Sequence, residues 1–107
     1  MEKEIIVVDD ASTDGSTQLL KVYTQKHESV KLILHIQNKG KGAAVQSALR
    51  EITGDVVIIQ DADLEYTPVD YNKMLSPIFA GHADVVYGSR FMGSGPHRVL
   101  FFWHTIG

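Results

Sequence analysis

The chain has 107 residues, a formal net charge of −3 and no cysteine. The lack of cysteine excludes a disulfide framework, a thiolate metal site and a cysteine nucleophile. The acidic balance gives no bulk positive field of the kind that binds nucleic acid. Hydrophobic residues make up 44% of the chain and charged residues 21%, which is typical of a soluble globular domain. The length predicts a single domain spanning residues 1–107.

The hydrophobic pattern alternates between strand-like and helix-like segments along the chain. Compact β-branched runs predict buried parallel strands, and serine, aspartate or proline at segment starts predicts helix N-termini. The predicted elements, in chain order, are a strand at 4–8, a helix from Ser12 or Asp14 to about His27, a strand at 30–36, a helix at 43–52, a strand at 55–60, a helix from Thr67-Pro68 to about Ala80, and a strand at 84–87. Pro77 is expected to kink the third helix or end it early.

Strands that alternate with helices predict an α/β fold with a mainly parallel sheet. Ligands of such sheets bind beyond the carboxyl ends of the strands. The polar residues that could carry chemistry follow the predicted strands at those ends. They are Asp9-Asp10, the loop from Asn38 to Gly42, the segment from Asp61 to Glu65, and Ser89-Arg90. The sequence therefore predicts a ligand site at this edge of the sheet.

The acidic segment after the third predicted strand indicates a metal site. Asp61 and Asp63 are two residues apart, and Glu65 lies two residues further on. Carboxylates brought together repel one another unless a cation lies between them, and Mg²⁺ typically binds one or two carboxylates together with substrate phosphates. A helix cap or a solvated turn is the alternative for a lone pair of this kind, but the position after a buried strand favours the metal.

Asp9 and Asp10 occupy the equivalent position after the first strand. One of them could accept a hydrogen bond from a nucleobase N–H or a ribose hydroxyl. The alternative is that one opens the polar turn that follows, because aspartate and serine favour turns and caps. Both interpretations can hold, since two acids are present.

The loop Asn38-Lys39-Gly40-Lys41-Gly42 opens a helix. Its glycines permit close approach of the backbone to a ligand, and a helix N-terminus favours anions. Lys39 or Lys41 could offset phosphate charge, although the spacing is not that of a P-loop. A plain loop is the alternative.

Arg90 ends the last predicted strand, where its guanidinium could pair with a diphosphate, and Arg98 follows a Gly/Pro-rich stretch. An ordinary surface arginine is the alternative for both. The five histidines show no metal-binding spacing and are interpreted as surface or core residues. A Ser-His-Asp hydrolase triad has no sequence support.

These segments in this order resemble the family 2 glycosyltransferases, which are inverting enzymes of the Rossmann-like GT-A fold, and most of all their dolichol-phosphate mannosyltransferase and polyprenyl-phosphate glycosyltransferase branch. The segments that carry the resemblance are residues 7–16, 38–44, 54–66 and 88–91. The resemblance implies a nucleotide-diphospho-sugar donor, a Mg²⁺ or Mn²⁺ cofactor, and a polyprenyl or dolichyl phosphate or another glycan acceptor.

The resemblance also implies a role for each matching residue. Asp9 or Asp10 would contact the nucleobase and ribose, and Lys41 and Gly42 would line the nucleotide pocket. The metal would be bound by Asp61, Asp63 and Glu65. Arg90 would hold the donor phosphate and Arg98 an acceptor phosphate, so that Asp63 and Arg90 are the expected catalytic residues.

The implied reaction is a single displacement at the anomeric carbon, with the metal stabilising the departing nucleoside diphosphate. Compared with the family pattern, the first family strand, which forms part of the nucleotide pocket, is expected to be absent from residues 1–107. We therefore expect a partial GT-A domain with weak or no turnover and with self-association through an exposed sheet edge. The expected location is cytoplasmic, with the cytoplasmic face of a membrane as an alternative. Residues 98–103 could begin an interfacial helix or, equally, a core helix.

Two alternatives belong to other functional classes. A response-regulator receiver domain also has an acid pair after its first strand and a further aspartate that binds Mg²⁺. A receiver requires a lysine after its last strand, however, and this chain has Gly88-Ser89-Arg90 there. The second alternative is a non-catalytic fragment that binds a nucleotide without transferring a sugar.

Overall fold

The computed structural model describes residues 2–62 and 68–87. These residues belong to two compact units, one ending at Ile58 and the other beginning at Ile59. The first unit contains β1 (Ile5–Asp9), α1 (Ser16–Lys26), β2 (Val30–Leu34) and α2 (Lys41–Leu49). The second contains a 3₁₀ turn (Pro68–Asp70) followed by α3 (Tyr71–Phe79). The prediction of one domain over the whole chain stays a prediction.

Strands β1 and β2 form a parallel pair in which Ile5 lies opposite Val30 and Asp9 lies opposite Leu34. The ladder continues one step further, because the His35 backbone N–H donates to the Asp9 carbonyl at 2.9 Å. Helix α1 makes the crossover that a parallel pair requires. The predicted α/β class with parallel strands is confirmed for this unit, and the register brings the ends of β1 and β2 side by side.

The predictions of strands at 55–60 and 84–87 are wrong. Within residues 2–62 and 68–87, only β1 and β2 pair. A strand needs a neighbour to accept and donate its backbone hydrogen bonds. An apolar sequence does not supply that neighbour, and Val57 and Val85 are 47% and 65% exposed. The mainly parallel sheet is therefore a two-stranded sheet within the described ranges.

The helices begin and end close to their predicted positions. Helix α1 begins at Ser16, closer to the predicted start at Asp14 than to the one at Ser12. Helix α2 begins two residues earlier than predicted, at Lys41, and ends three residues earlier, at Leu49. Pro77 does not end α3 early, because the helix continues to Phe79. The proline lies in the last turn, and its carbonyl accepts from the backbone N–H groups of His82 and Ala83 at 2.9 and 3.2 Å. Within the described residues, no helix is long and apolar enough to cross a bilayer.

The start of β1 is fastened to the turn after α2 by Glu4. Its Oε1 accepts from the Thr53 backbone N–H at 2.6 Å, from the Thr53 hydroxyl at 2.9 Å and from the Gly54 N–H at 2.9 Å. Lys31 Nζ lies 3.5 Å from Oε2. These donors, led by the Thr53 N–H and hydroxyl, lower the pKa of Glu4 to about 2.

This lowered pKa predicts an acid-sensitive contribution to stability. The pKa of Glu4 falls from 4.5 to about 2 on folding, so the folded state favours the charged form and the gain is present above pH 4.5. The gain is lost as the pH falls towards the folded pKa of about 2. We expect Glu4→Gln to lower the urea midpoint of unfolding at pH 7. The difference in midpoint between the variant and the unsubstituted chain should shrink as the pH falls from 4.5 to about 2. An equal difference at every pH would contradict the prediction.

Candidate functional site

Asp9 is the buried member of the acid pair at the end of β1, with 4% of its surface exposed. Its Oδ1 accepts from the Ser12 backbone N–H at 3.1 Å and from the Ser12 hydroxyl. Its Oδ2 accepts from the Thr17 hydroxyl at the start of α1. These donors, first the Ser12 and then the Thr17 hydroxyl, hold the pKa of Asp9 below its ordinary value. Asp9 therefore stabilises the turn between β1 and α1. This agrees with the alternative interpretation, in which one acid of the pair opens the polar turn.

Asp10 fastens the loop on the α2 side. Its Oδ1 accepts from His35 Nδ1 at 2.7 Å and from the Lys39 backbone N–H at 2.9 Å, and its Oδ2 accepts from the Gly40 N–H at 2.8 Å. The hydrogen bonds from His35 first and Lys39 second hold its pKa below the ordinary value. An ionised carboxylate offers about four acceptor positions. Among residues 2–62 and 68–87, the Gly40 N–H alone donates to Oδ2, so this oxygen keeps capacity for an N–H or O–H group of a ligand.

The loop between β2 and α2 adopts its shape at Gly40. This residue has φ 87° and ψ 167°, a combination that is essentially restricted to glycine. Its N–H is shared between Asp10 Oδ2 and Asn38 Oδ1, the latter at 3.1 Å. The conformation places Lys41 and Gly42 in the first turn of α2, where the helix dipole favours negative charge. A Cβ on Gly42 would meet nothing within 4 Å, so the space around it is open.

At this edge of the sheet, the Asp10 carboxylate and the N-terminus of α2 suit different chemical groups. The carboxylate of Asp10 accepts hydrogen bonds and repels anions, so it suits a hydroxyl or an N–H donor. The N-terminus of α2 has the opposite preference and suits an anion. A nucleotide presents both kinds of group, because its ribose and base donate hydrogen bonds and its phosphates are anionic.

Asp61 belongs to the second unit. The residue before it, Gln60, is held by the Tyr71 hydroxyl, which donates to Gln60 Oε1 at 2.6 Å. Gln60 Nε2 in turn donates to the Asp61 carbonyl at 2.9 Å. Burial raises the pKa of Tyr71, which keeps the phenol protonated as a donor. The start of α3 thus fixes the backbone at Asp61, whose side chain is half-buried.

The other predicted site residues lie outside the described residues. They are Asp63, Glu65, Arg90 and Arg98. Among the residues that the structure describes, no group of three potential ligands of the histidine, cysteine, aspartate or glutamate type comes together. The assignment of metal and catalytic residues therefore stays a prediction.

His35 also belongs to this edge, although the sequence pattern did not single it out as a site residue. Its ring is held at both nitrogens, by Asp10 Oδ1 at 2.7 Å and by Ser47 Oγ at 2.8 Å. The signal was its position one residue after β2. In a parallel pair with Asp9 opposite Leu34, the next residues on each strand are Asp10 and His35, so the register alone makes them neighbours.

The comparisons with known proteins agree on one family. The profile described as Glycosyl transferase family 2 matches residues 1–101. A dolichol-phosphate mannosyltransferase of Pyrococcus furiosus is 36% identical over 92 residues, which cover 86% of this chain and 26% of that protein. An undecaprenyl-phosphate 4-deoxy-4-formamido-L-arabinose transferase of Yersinia enterocolitica is 36% identical over 84 residues, covering 78% of this chain and 25% of that protein.

A dolichyl-phosphate beta-glucosyltransferase of Trichomonas vaginalis is 40% identical over 60 residues, covering 56% of this chain and 18% of that protein. The chain thus spans about a quarter or less of the length of these relatives. No solved structure matches it significantly. The family match does not favour a receiver domain. Taken with the parallel strands and the polar loops at their ends, it shows that the chain belongs to glycosyltransferase family 2.

Proposed function

We propose that this chain binds the nucleotide-diphospho-sugar donor of a glycosyltransferase that transfers the sugar, with inversion, to a polyprenyl or dolichyl phosphate. The observation that carries the proposal is the family match over residues 1–101. The acceptor class is supported by the names of the relatives, which are a dolichol-phosphate and an undecaprenyl-phosphate transferase. Because the acceptor is a lipid, the proposal includes peripheral contact of the protein with a membrane. Self-association through a sheet edge stays a prediction.

The donor's nucleoside would lie against Asp10. Its Oδ2 has acceptor capacity beyond the Gly40 N–H, which suits a ribose hydroxyl or a base N–H. The diphosphate would lie towards Lys41 and Gly42 in the first turn of α2, because that helix end favours anions. Asp9 is buried on its own turn, so we assign the direct contact to Asp10.

The metal would be held by Asp61, Asp63 and Glu65. Carboxylate oxygen is the donor that Mg²⁺ prefers, and the half-buried Asp61 on a fixed backbone fits that preference. When bound, such an ion neutralises charge on a departing diphosphate. Arg90 would hold the donor phosphate and Arg98 the acceptor phosphate, each through a bidentate contact. An acceptor phosphate is already an anion and needs little help from a general base.

A thermal-shift panel of uridine, guanosine, adenosine and cytidine diphosphates, each with and without Mn²⁺, tests the proposal. We expect at least one of them to raise the melting temperature only when Mn²⁺ is present. A ligand at 100 times its dissociation constant stabilises by about 2.7 kcal/mol, which is readily measured. Absence of any metal-dependent shift across the panel would contradict the proposal.

Substitution of Asp61 locates the effect. Asp61→Asn is expected to abolish the Mn²⁺-dependent shift, because the amide removes a negative metal ligand of similar size. Asp84→Asn is the matched control, since Asp84 is an exposed aspartate of the same unit. A shift that Asp61→Asn leaves intact would argue against the assigned metal ligand.

A further inference from the structure

His35 connects three elements at the carboxyl edge of the sheet. It follows β2, its Nδ1 contacts Asp10 after β1 at 2.7 Å, and its Nε2 contacts Ser47 in α2 at 2.8 Å. Its side chain is 7% exposed. A ring held at both nitrogens has neither rotational freedom nor a free edge for water.

The partners determine which nitrogen carries the proton. An ionised Asp10 only accepts hydrogen bonds, so Nδ1 of His35 donates to it. In the neutral ring Nε2 is then an acceptor, and the Ser47 hydroxyl donates to it. With a neutral ring, the direction of donation therefore runs from Ser47 through His35 to Asp10.

We propose that His35, backed by Ser47, is a positioning residue for the nucleotide contact of Asp10. The imidazole and the Lys39 N–H occupy Oδ1, which fixes the rotation of the carboxylate and leaves Oδ2 to the Gly40 N–H and the ligand. The same contact holds the loop that leads into α2. This inference rests on the proposed function and adds residues that do not themselves touch the donor.

The order Asp10, His35, Ser47 resembles a hydrolytic triad, but the position of Ser47 argues against a nucleophile. Ser47 lies inside α2 (Lys41–Leu49), where backbone N–H groups donate to carbonyls four residues earlier. Those N–H groups are not available to stabilise an oxyanion. The cluster therefore holds a carboxylate in place and does not attack a substrate.

Three variants separate positioning from simple loss of packing. His35→Ala removes both contacts. His35→Asn places an amide N–H near the position of Nδ1, so it keeps the bond to Asp10 and loses the one to Ser47. Ser47→Ala removes only the second contact, and His82→Ala is a control because His82 is an exposed histidine of the other unit.

The first readout is the affinity for the best nucleoside diphosphate of the panel with Mn²⁺, measured by calorimetry. A hydrogen bond to a charged group corresponds to roughly tenfold or more in affinity. We expect about a tenfold loss for His35→Ala, recovery of most of it in His35→Asn, and a smaller loss for Ser47→Ala. An affinity in His35→Asn no better than in His35→Ala would overturn the positioning role, as would unchanged affinity in His35→Ala.

The second readout needs no nucleotide. Backbone N–H groups that donate to a carboxylate have downfield proton shifts in nuclear magnetic resonance spectra, so the Lys39 and Gly40 signals report on Asp10. We expect both to move in His35→Ala and to stay near their original positions in His35→Asn and His82→Ala. Unmoved signals in His35→Ala would overturn the inference even if the chain binds nucleotide. If the signals move but the unsubstituted chain binds no nucleotide, the proposed function and the ligand role of Asp10 fail together, while the structural contact stands.

Discussion

Asp9→Ala is expected to lower the free energy of unfolding by about 2–4 kcal/mol, since it removes a buried charged acceptor from three donors. The Ser12 N–H, the Ser12 hydroxyl and the Thr17 hydroxyl all lose their acceptor. Asp9 is 4% exposed, so its carboxylate accepts these hydrogen bonds largely out of contact with water. Urea denaturation at neutral pH measures the loss.

Asp14→Ala is the matched control for this prediction. Asp14 also accepts from a serine N–H and hydroxyl, those of Ser16 at 3.0 and 2.6 Å, but it is exposed. Water can satisfy the donors there, so we expect a loss typical of a helix-capping contact, about 1 kcal/mol. Equal losses in the two variants would show that burial does not set the strength of the Asp9 contacts.

Gly40→Ala is expected to cost about 1–3 kcal/mol, the range for residues held in sparsely populated backbone regions. With φ 87° and ψ 167°, an alanine must either accept the strain or rotate. Rotation would move the N–H that donates to Asp10 at 2.8 Å. We therefore expect weaker nucleotide binding together with the lower stability, measured by urea denaturation and calorimetry.

Gly42→Ala, two residues away, is the control with the opposite expectation. Gly42 lies in α2 without a positive φ, and an added Cβ would meet nothing within 4 Å. Alanine favours helix over glycine by up to about 1 kcal/mol, so stability should be unchanged or higher. If the added methyl weakens nucleotide binding without lowering stability, Gly42 lies against the ligand as the family resemblance implies. If Gly42→Ala lowers the free energy of unfolding as much as Gly40→Ala does, the backbone conformation of Gly40 is not the cause of the loss.

The local pattern of the sequence was sufficient to predict β1, β2 and the two helices that follow them. Each is set by residues within its own segment, such as the β-branched run before Asp9. Local pattern wrongly predicts a strand at 55–60, because strand pairing depends on a neighbour elsewhere in the chain. The apolar run there is compatible with a strand, but Val57 is 47% exposed in the structure.

The candidate site was predictable in position but not in its internal contacts. That Asp10 and the loop before α2 lie at one edge follows from the parallel order of β1 and β2. Which acid is buried depends on donors supplied by Ser12 and Thr17, and the sequence left that choice open. Histidine spacing along the sequence does not reveal His35, because only the register of β1 against β2 makes it a neighbour of Asp10.

The two acids at the end of β1 have different roles because their side chains point in opposite directions. Successive side chains of a strand point to opposite faces, so Asp9 reaches the turn before α1 while Asp10 reaches the loop before α2. Deletion or insertion of a single residue within β1 would exchange the two positions, although the Asp-Asp pair itself would be intact. The register of β1 against β2 thus constrains the sequence in addition to the identity of its last residues.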